Sequence, residues 1–122
     1  MFGVLRPKDN QPGVSALTPM SCDQVTKALQ QSLAQRLGAH LRGVWLYGSR
    51  ARGDARESSD YDVLILVDEK TQAVRDCILD IQVEILDRHD ALVATIVRTE
   101  DEWRLSQGYP LARNIAREAV LL

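Results

Sequence analysis

Two aspartates one residue apart, Asp60 and Asp62, open the apolar run Tyr61 to Val67, and a Gly48-Ser49 pair closes a shorter apolar run, Val44 to Tyr47. If Tyr61 to Val67 is a strand, alternation of its side chains puts both carboxylates on the same side at one edge of a sheet. Neighbouring carboxylates repel unless a proton or a cation lies between them, and an all-oxygen ligand set of this kind suits magnesium carrying a substrate phosphate. Gly48-Ser49 stands where a strand feeds the start of a short helix, predicted over Arg50 to Ala55. Free backbone amides at that point, with a small residue permitting close approach, form a phosphate seat to which the serine hydroxyl adds a hydrogen bond. Arg50 and Arg52 follow directly. Their guanidinium groups either supply positive charge to the phosphates or remain solvated on the short helix.

The flanking elements must hold these groups in place. Ser21-Cys22-Asp23-Gln24 has the form of a capping box, and Val25, Leu29, Leu33 and Leu37 follow at helical spacing, with Gly38 or Gly43 as the stop. Tyr61 to Val67 is apolar on both faces and reads as a central strand. Lys70 to Arg88 carries a helical stripe at Val74, Cys77, Ile78, Ile81 and Ile85, with Leu86 at its margin. Leu92 to Val97 is β-branched and predicts a third strand. Thr99 then starts a helix whose first turn holds Glu100, Asp101 and Glu102, which complement the helix dipole, and Trp103 reads as a half-buried anchor. Gly108-Tyr109-Pro110 breaks that helix and begins another with Leu111, Ile115, Ala119 and Leu122 on one face, closing the domain or meeting a partner helix. The fold class that follows is α/β, a small mixed sheet of about three or more strands flanked by helices.

The chain of 122 residues is the size of one domain, read as an extended N-terminal arm over 1–20 and a single domain over 21–122. With 15 basic against 17 acidic residues the formal charge is -2, which gives no whole-chain reason to expect direct nucleic-acid binding. No apolar run reaches membrane-spanning length and the N-terminus lacks the apolar core of a signal peptide, so a cytoplasmic location without a membrane partner is expected. Cys22 and Cys77 have neither metal-site spacing nor a CxxC arrangement and read as reduced thiols. His40 and His89 lack any nucleophile context and read as surface or helix-end residues.

The residues Gly48-Ser49-Arg50-Ala51-Arg52-Gly53, then Ser59-Asp60-Tyr61-Asp62, resemble the signature of the minimal nucleotidyltransferases (MNT proteins) of the DNA polymerase β-like superfamily. The resemblance is strongest over Val44 to Val67 and softer over Thr99 to Leu122. It implies the polymerase β-like palm fold, with Asp60 and Asp62 as catalytic metal ligands for magnesium on the triphosphate, and Gly48 and Ser49 as the seat of the β- and γ-phosphates. It implies ATP as substrate and transfer of a nucleotidyl group to an acceptor hydroxyl. Small MNT proteins are commonly antitoxins that adenylylate a helical HEPN ribonuclease toxin, often on tyrosine, so a HEPN-type partner protein is the expected acceptor.

This sequence departs from that pattern at one place. Active members usually carry a third carboxylate on the strand beside the aspartate pair, but Leu92-Val93-Ala94-Thr95-Ile96-Val97 contains no acid. Asp90, Glu84 and Asp80 are the nearby alternatives in sequence. The competing reading is therefore a degenerate nucleotidyltransferase-fold module that neutralises its partner by contact.

Overall fold

The computed structural model describes residues 23–53 and 60–122. The arm expected over 1–20, the Ser21-Cys22 half of the expected capping box, and the Glu57-Ser58-Ser59 loop lie outside those residues. Helix α1 (Gln24–Leu37) begins instead at Asp23, whose side chain accepts from the Thr26 amide at 2.9 Å. A carboxylate is as effective a cap as a serine hydroxyl and additionally opposes the positive end of the helix dipole. Gly38, at φ 56°, ends the helix, and a 3-10 turn over Gly38–His40 leads into the first strand.

The strands are β1 (Leu41–Tyr47), β2 (Tyr61–Val67), β3 (Val93–Thr99) and β4 (Val120–Leu121), in spatial order β3-β2-β1-β4. A four-residue helix, α2 (Ser49–Arg52), follows β1. Helix α3 (Gln72–His89) makes the crossover from β2 to the parallel β3. Helices α4 (Glu100–Leu105) and α5 (Pro110–Glu118) precede β4, which pairs antiparallel with β1. The mixed α/β sheet expected from the sequence is thus present, with a fourth strand that the sequence pattern did not announce. Two residues are too few to show alternation, and this strand exists because β1 offers it an edge.

Alternation divides the sheet into two faces. Tyr61, Val63, Ile65 and Val67 of β2, with Val44 and Leu46 of β1, pack against Leu29, Leu33 and Leu37 of α1 and Val74, Ile78, Ile81 and Ile85 of α3. Leu64 and Leu66, with Trp45, meet Trp103, Ala112 and Ile115 from α4 and α5. Burying each such aliphatic side chain is worth about 1.5–3 kcal/mol, so β2, covered on both sides, is the anchor of the fold.

Three expectations need correction. Trp103 is 2% exposed, a core residue and not a half-buried one. It follows a full capping box at Thr99 and Glu102, which fixes where the short helix points and drives the indole under the sheet. Leu111 is 52% exposed, so the buried stripe of α5 keeps the expected Ile115 but pairs it with Ala112, and because the helix stops at Glu118 the expected Ala119 and Leu122 lie beyond it, on either side of β4. Leu86 is exposed as well, 46%, because the α3 stripe ends on Ile85.

Candidate nucleotide site

Gly48 begins the site. It follows β1 at φ 78° and ψ -158°, a backbone geometry that L-residues with a side chain rarely adopt. A Cβ on Gly48 would collide with Oδ2 of Asp62. The cause is the β1–β2 register, which pairs Tyr47 directly with Asp62, so the chain leaving β1 passes over the Asp62 carboxylate. Sequence and register thus bring the turn and one of the two predicted metal ligands into van der Waals contact.

Asp62 is half-buried and Asp60, two residues earlier on the same side, is exposed. Burial, then the negative charges of Asp60 and of Glu118, push the Asp62 carboxyl above its ordinary range, against the opposing influence of Arg52. This is the electrostatic condition that a cation would relieve. Among the described residues no group of three or more His, Cys, Asp or Glu side chains is gathered closely enough to hold a metal ion. Two carboxylates suffice for magnesium when substrate phosphates and water complete its octahedron, so Asp60 and Asp62 fit a metal that arrives with a nucleotide.

The two arginines diverge. Arg52 donates from Nη1 to Glu118 Oε2 at 2.9 Å, beside the turn. Arg50 stands 4.0 Å from the centre of the Tyr61 ring, a cation–π contact. Tyr61 alternates with Asp62 and faces the α1 layer, where its hydroxyl donates to Asp23 Oδ2 at 2.7 Å. Burial and that hydrogen bond raise the phenol to about 12. The arrangement braces the start of β2 from the side opposite Asp62.

Among the described residues, none of Asp80, Glu84 and Asp90 joins Asp60 and Asp62 in a three-carboxylate metal cluster. Glu84 accepts from Arg36 at 2.6 Å, joining α3 to α1 on the sheet face away from Asp62. Asp90 caps the C-terminus of α3 in the left-handed conformation, φ 53°. The position beside Asp62 on β3 belongs to Ala94, its parallel register partner. The carboxylate that does reach the turn is Glu118, the last residue of α5: its Oε1 accepts from the Gly48 amide at 2.9 Å. Sequence reading passed over Glu118, although an acid at a helix C-terminus opposes the dipole and is a local inconsistency of the kind that marks a site. Tyr47 was missed too. It shares the face of Asp62, and burial, Asp62 and Glu118 push its phenol upward.

The family profile described as polymerase beta nucleotidyltransferase matches residues 27–122. The chain belongs to this nucleotidyltransferase family. The match takes in the site and every described strand, in agreement with the resemblance drawn from Gly48-Ser49 and the aspartate pair. A protein of Methanocaldococcus jannaschii, named as a candidate protein adenylyltransferase, is 26% identical over 103 residues, 84% of this chain and 99% of its own length. Among solved structures, a toxin-antitoxin complex with AMP-PNP contains a chain similar in fold, with TM-score 0.58 at 15% identity, covering 78% of this chain and 69% of that one. A candidate nucleotidyltransferase from Sulfolobus solfataricus aligns at TM-score 0.48 and 23% identity, over 91% of this chain and 88% of its own. Among the described residues of this nucleotidyltransferase, no helix is long and apolar enough to cross a membrane.

Proposed function

We propose that this nucleotidyltransferase is a cytoplasmic, magnesium-dependent adenylyltransferase that moves AMP from ATP to a hydroxyl of a partner protein, acting as an antitoxin on a HEPN-type helical toxin through a tyrosine acceptor. The single observation that carries the reading is the contact of Gly48 with Asp62, which sets the glycine turn, proposed as the phosphate seat, directly against a carboxylate proposed as a metal ligand. The adenylyltransferase name of the archaeal relative and the nucleotide analogue in the toxin-antitoxin structure support the same donor and the same kind of partner.

In this reading Asp60 and Asp62 would hold magnesium, which supplies charge neutralisation on the triphosphate and raises the nucleophilicity of the acceptor oxygen. Gly48 and Ser49 seat the β- and γ-phosphates, and Arg52, with Arg50 behind the turn, adds positive charge. The acceptor oxygen attacks the α-phosphorus in line and forms a P–O bond. The bond from the α-phosphorus to the bridging oxygen breaks, pyrophosphate leaves with its electron pair, and the acceptor proton passes to solvent. A single domain over 21–122 leaves acceptor recognition to the partner, and no nucleic acid is required.

A second reading is favoured by Ala94, which occupies the register position beside Asp62 where active relatives usually carry an acid. On that reading the fold binds its partner and neutralises it without transfer. Incubation with labelled ATP, magnesium and a HEPN partner decides between them. Label on the partner that disappears with Asp60→Asn and Asp62→Asn is expected for the transferase. Neutralisation that survives both changes, with no label, would establish the binder.

A further inference from the structure

Glu118 lies 70 residues from Gly48 in sequence, yet its two carboxylate oxygens divide between the two cationic or donor groups of the turn: Oε1 takes the Gly48 amide and Oε2 the Arg52 guanidinium, each at 2.9 Å. The side chain is 22% exposed and is delivered there by the last turn of α5. That position is fixed by Ala112 and Ile115 beneath the helix and by β4, which pairs Leu46 with Val120 directly after it. A carboxylate that accepts from a backbone amide and an arginine together makes the same pair of contacts that a phosphate oxygen pair would make. Resting on the reading of Gly48 as part of the phosphate seat, we infer that Glu118 is an internal competitor for the nucleotide: a phosphate group takes the Gly48 amide and Arg52 only in exchange for the Glu118 carboxylate, and this exchange sets nucleotide affinity.

The consequence reaches beyond affinity. Glu118 leaves the turn by a change of its own rotamer or by movement of the end of α5, and the second route couples phosphate binding to the α5–β4 segment that pairs with the edge of β1. Exchange also removes a negative charge from beside Asp62 as the negatively charged phosphate enters. An acid at this point therefore penalises phosphate-bearing ligands and leaves ligands without phosphate unaffected.

Calorimetric titration of the full chain with AMP-PNP and magnesium, and separately with adenosine, tests the exchange. Glu118→Gln, an isosteric change that keeps one acceptor for Gly48, is expected to bind AMP-PNP about tenfold more tightly, about 1.4 kcal/mol, with adenosine affinity unchanged. Glu118→Ala should gain at least as much, and thermal melting of both variants separates a folding defect from a binding effect. Equal AMP-PNP affinity in wild type and Glu118→Gln would overturn the exchange while leaving the phosphate seat intact. Weaker AMP-PNP and weaker manganese binding in Glu118→Gln would overturn it by making Glu118 a metal ligand. Absence of AMP-PNP binding in all three proteins would reject the phosphate seat itself, and the exchange with it.

Discussion

The Asp62 carboxylate lies against the α-carbon of Gly48, in the space where a side chain would begin. Backbone conformation and site geometry therefore make the same demand at one residue. Gly48→Ala forces both a left-handed strain and a collision with Asp62, and is expected to destabilise the fold by about 1–3 kcal/mol. It should also abolish nucleotide binding, because the turn and the carboxylate can no longer approach. Urea denaturation and AMP-PNP titration measure the two losses.

Asp62 itself is held at a cost. Its carboxyl is raised above the ordinary value of 3.8 by burial, Asp60 and Glu118, so the folded state disfavours the ionised form. Its contribution to stability is fully present only below the unfolded value and is lost as pH rises through the folded one, which leaves it destabilising at neutral pH. Asp62→Asn should raise stability at pH 7 while eliminating transfer, the trade expected of a site residue. Melting temperature and labelled-ATP transfer, measured on the same preparation, check both halves.

Ala94 offers a gain-of-function test. It is exposed and is the parallel partner of Asp62, so a carboxylate there would face the same side of the sheet. Ala94→Asp is expected to tighten manganese binding about tenfold by adding a charged ligand. The gain should vanish in the Ala94→Asp, Asp62→Asn double variant, and manganese relaxation or calorimetry reads it directly.

Tyr61 links the start of β2 to the cap of α1. The Asp23 carboxylate accepts from the Thr26 amide through Oδ1 and from the Tyr61 hydroxyl through Oδ2. Because the folded phenol titrates near 12 and its ordinary value is 10.0, the unfolded chain loses its proton first. The stabilisation is complete below about pH 10 and is lost as pH rises through the folded value. Denaturation midpoints measured from about pH 8 to 11.5 should fall more steeply for wild type than for Tyr61→Phe, which at neutral pH loses about 1 kcal/mol with the hydrogen bond.

Trp103 carries the packing of α4 and α5 onto the sheet. Its indole Nε1 is buried without a hydrogen-bond partner among the described residues. Trp103→Ala should cost about 3–5 kcal/mol, whereas Trp103→Phe removes the unpaired donor along with some contact area and should cost about 1 kcal/mol or less. Chemical denaturation of the two variants gives the comparison.

Much of this was legible from residue order. The central strand was readable because Tyr61 to Val67 is apolar on both faces, α3 because Val74, Ile78, Ile81 and Ile85 keep helical spacing, and the α4 start because Thr99 is followed by three acids that complement the helix dipole. These are local signals: period and caps are set by neighbours within one turn or two strand residues. The Gly48-Ser49 turn and the Asp60–Asp62 pair were likewise visible as residue types suited to phosphate and metal.

Tertiary structure alone decided the rest. Which residue stands beside Asp62 depends on strand register, and register selected Tyr47 on one side and Ala94 on the other. Arg50 and Arg52, two residues apart in sequence, were sent to Tyr61 and to Glu118 by the pitch of a four-residue helix. Glu118 reached Gly48 only because β4 returns to the edge of β1 and fixes the end of α5 above the turn. A periodic pattern says which face of an element is buried, and says nothing about which distant element covers it. That is why the aspartates and the glycine could be read from the chain, while the carboxylate that competes for the same amide could be found only in the fold.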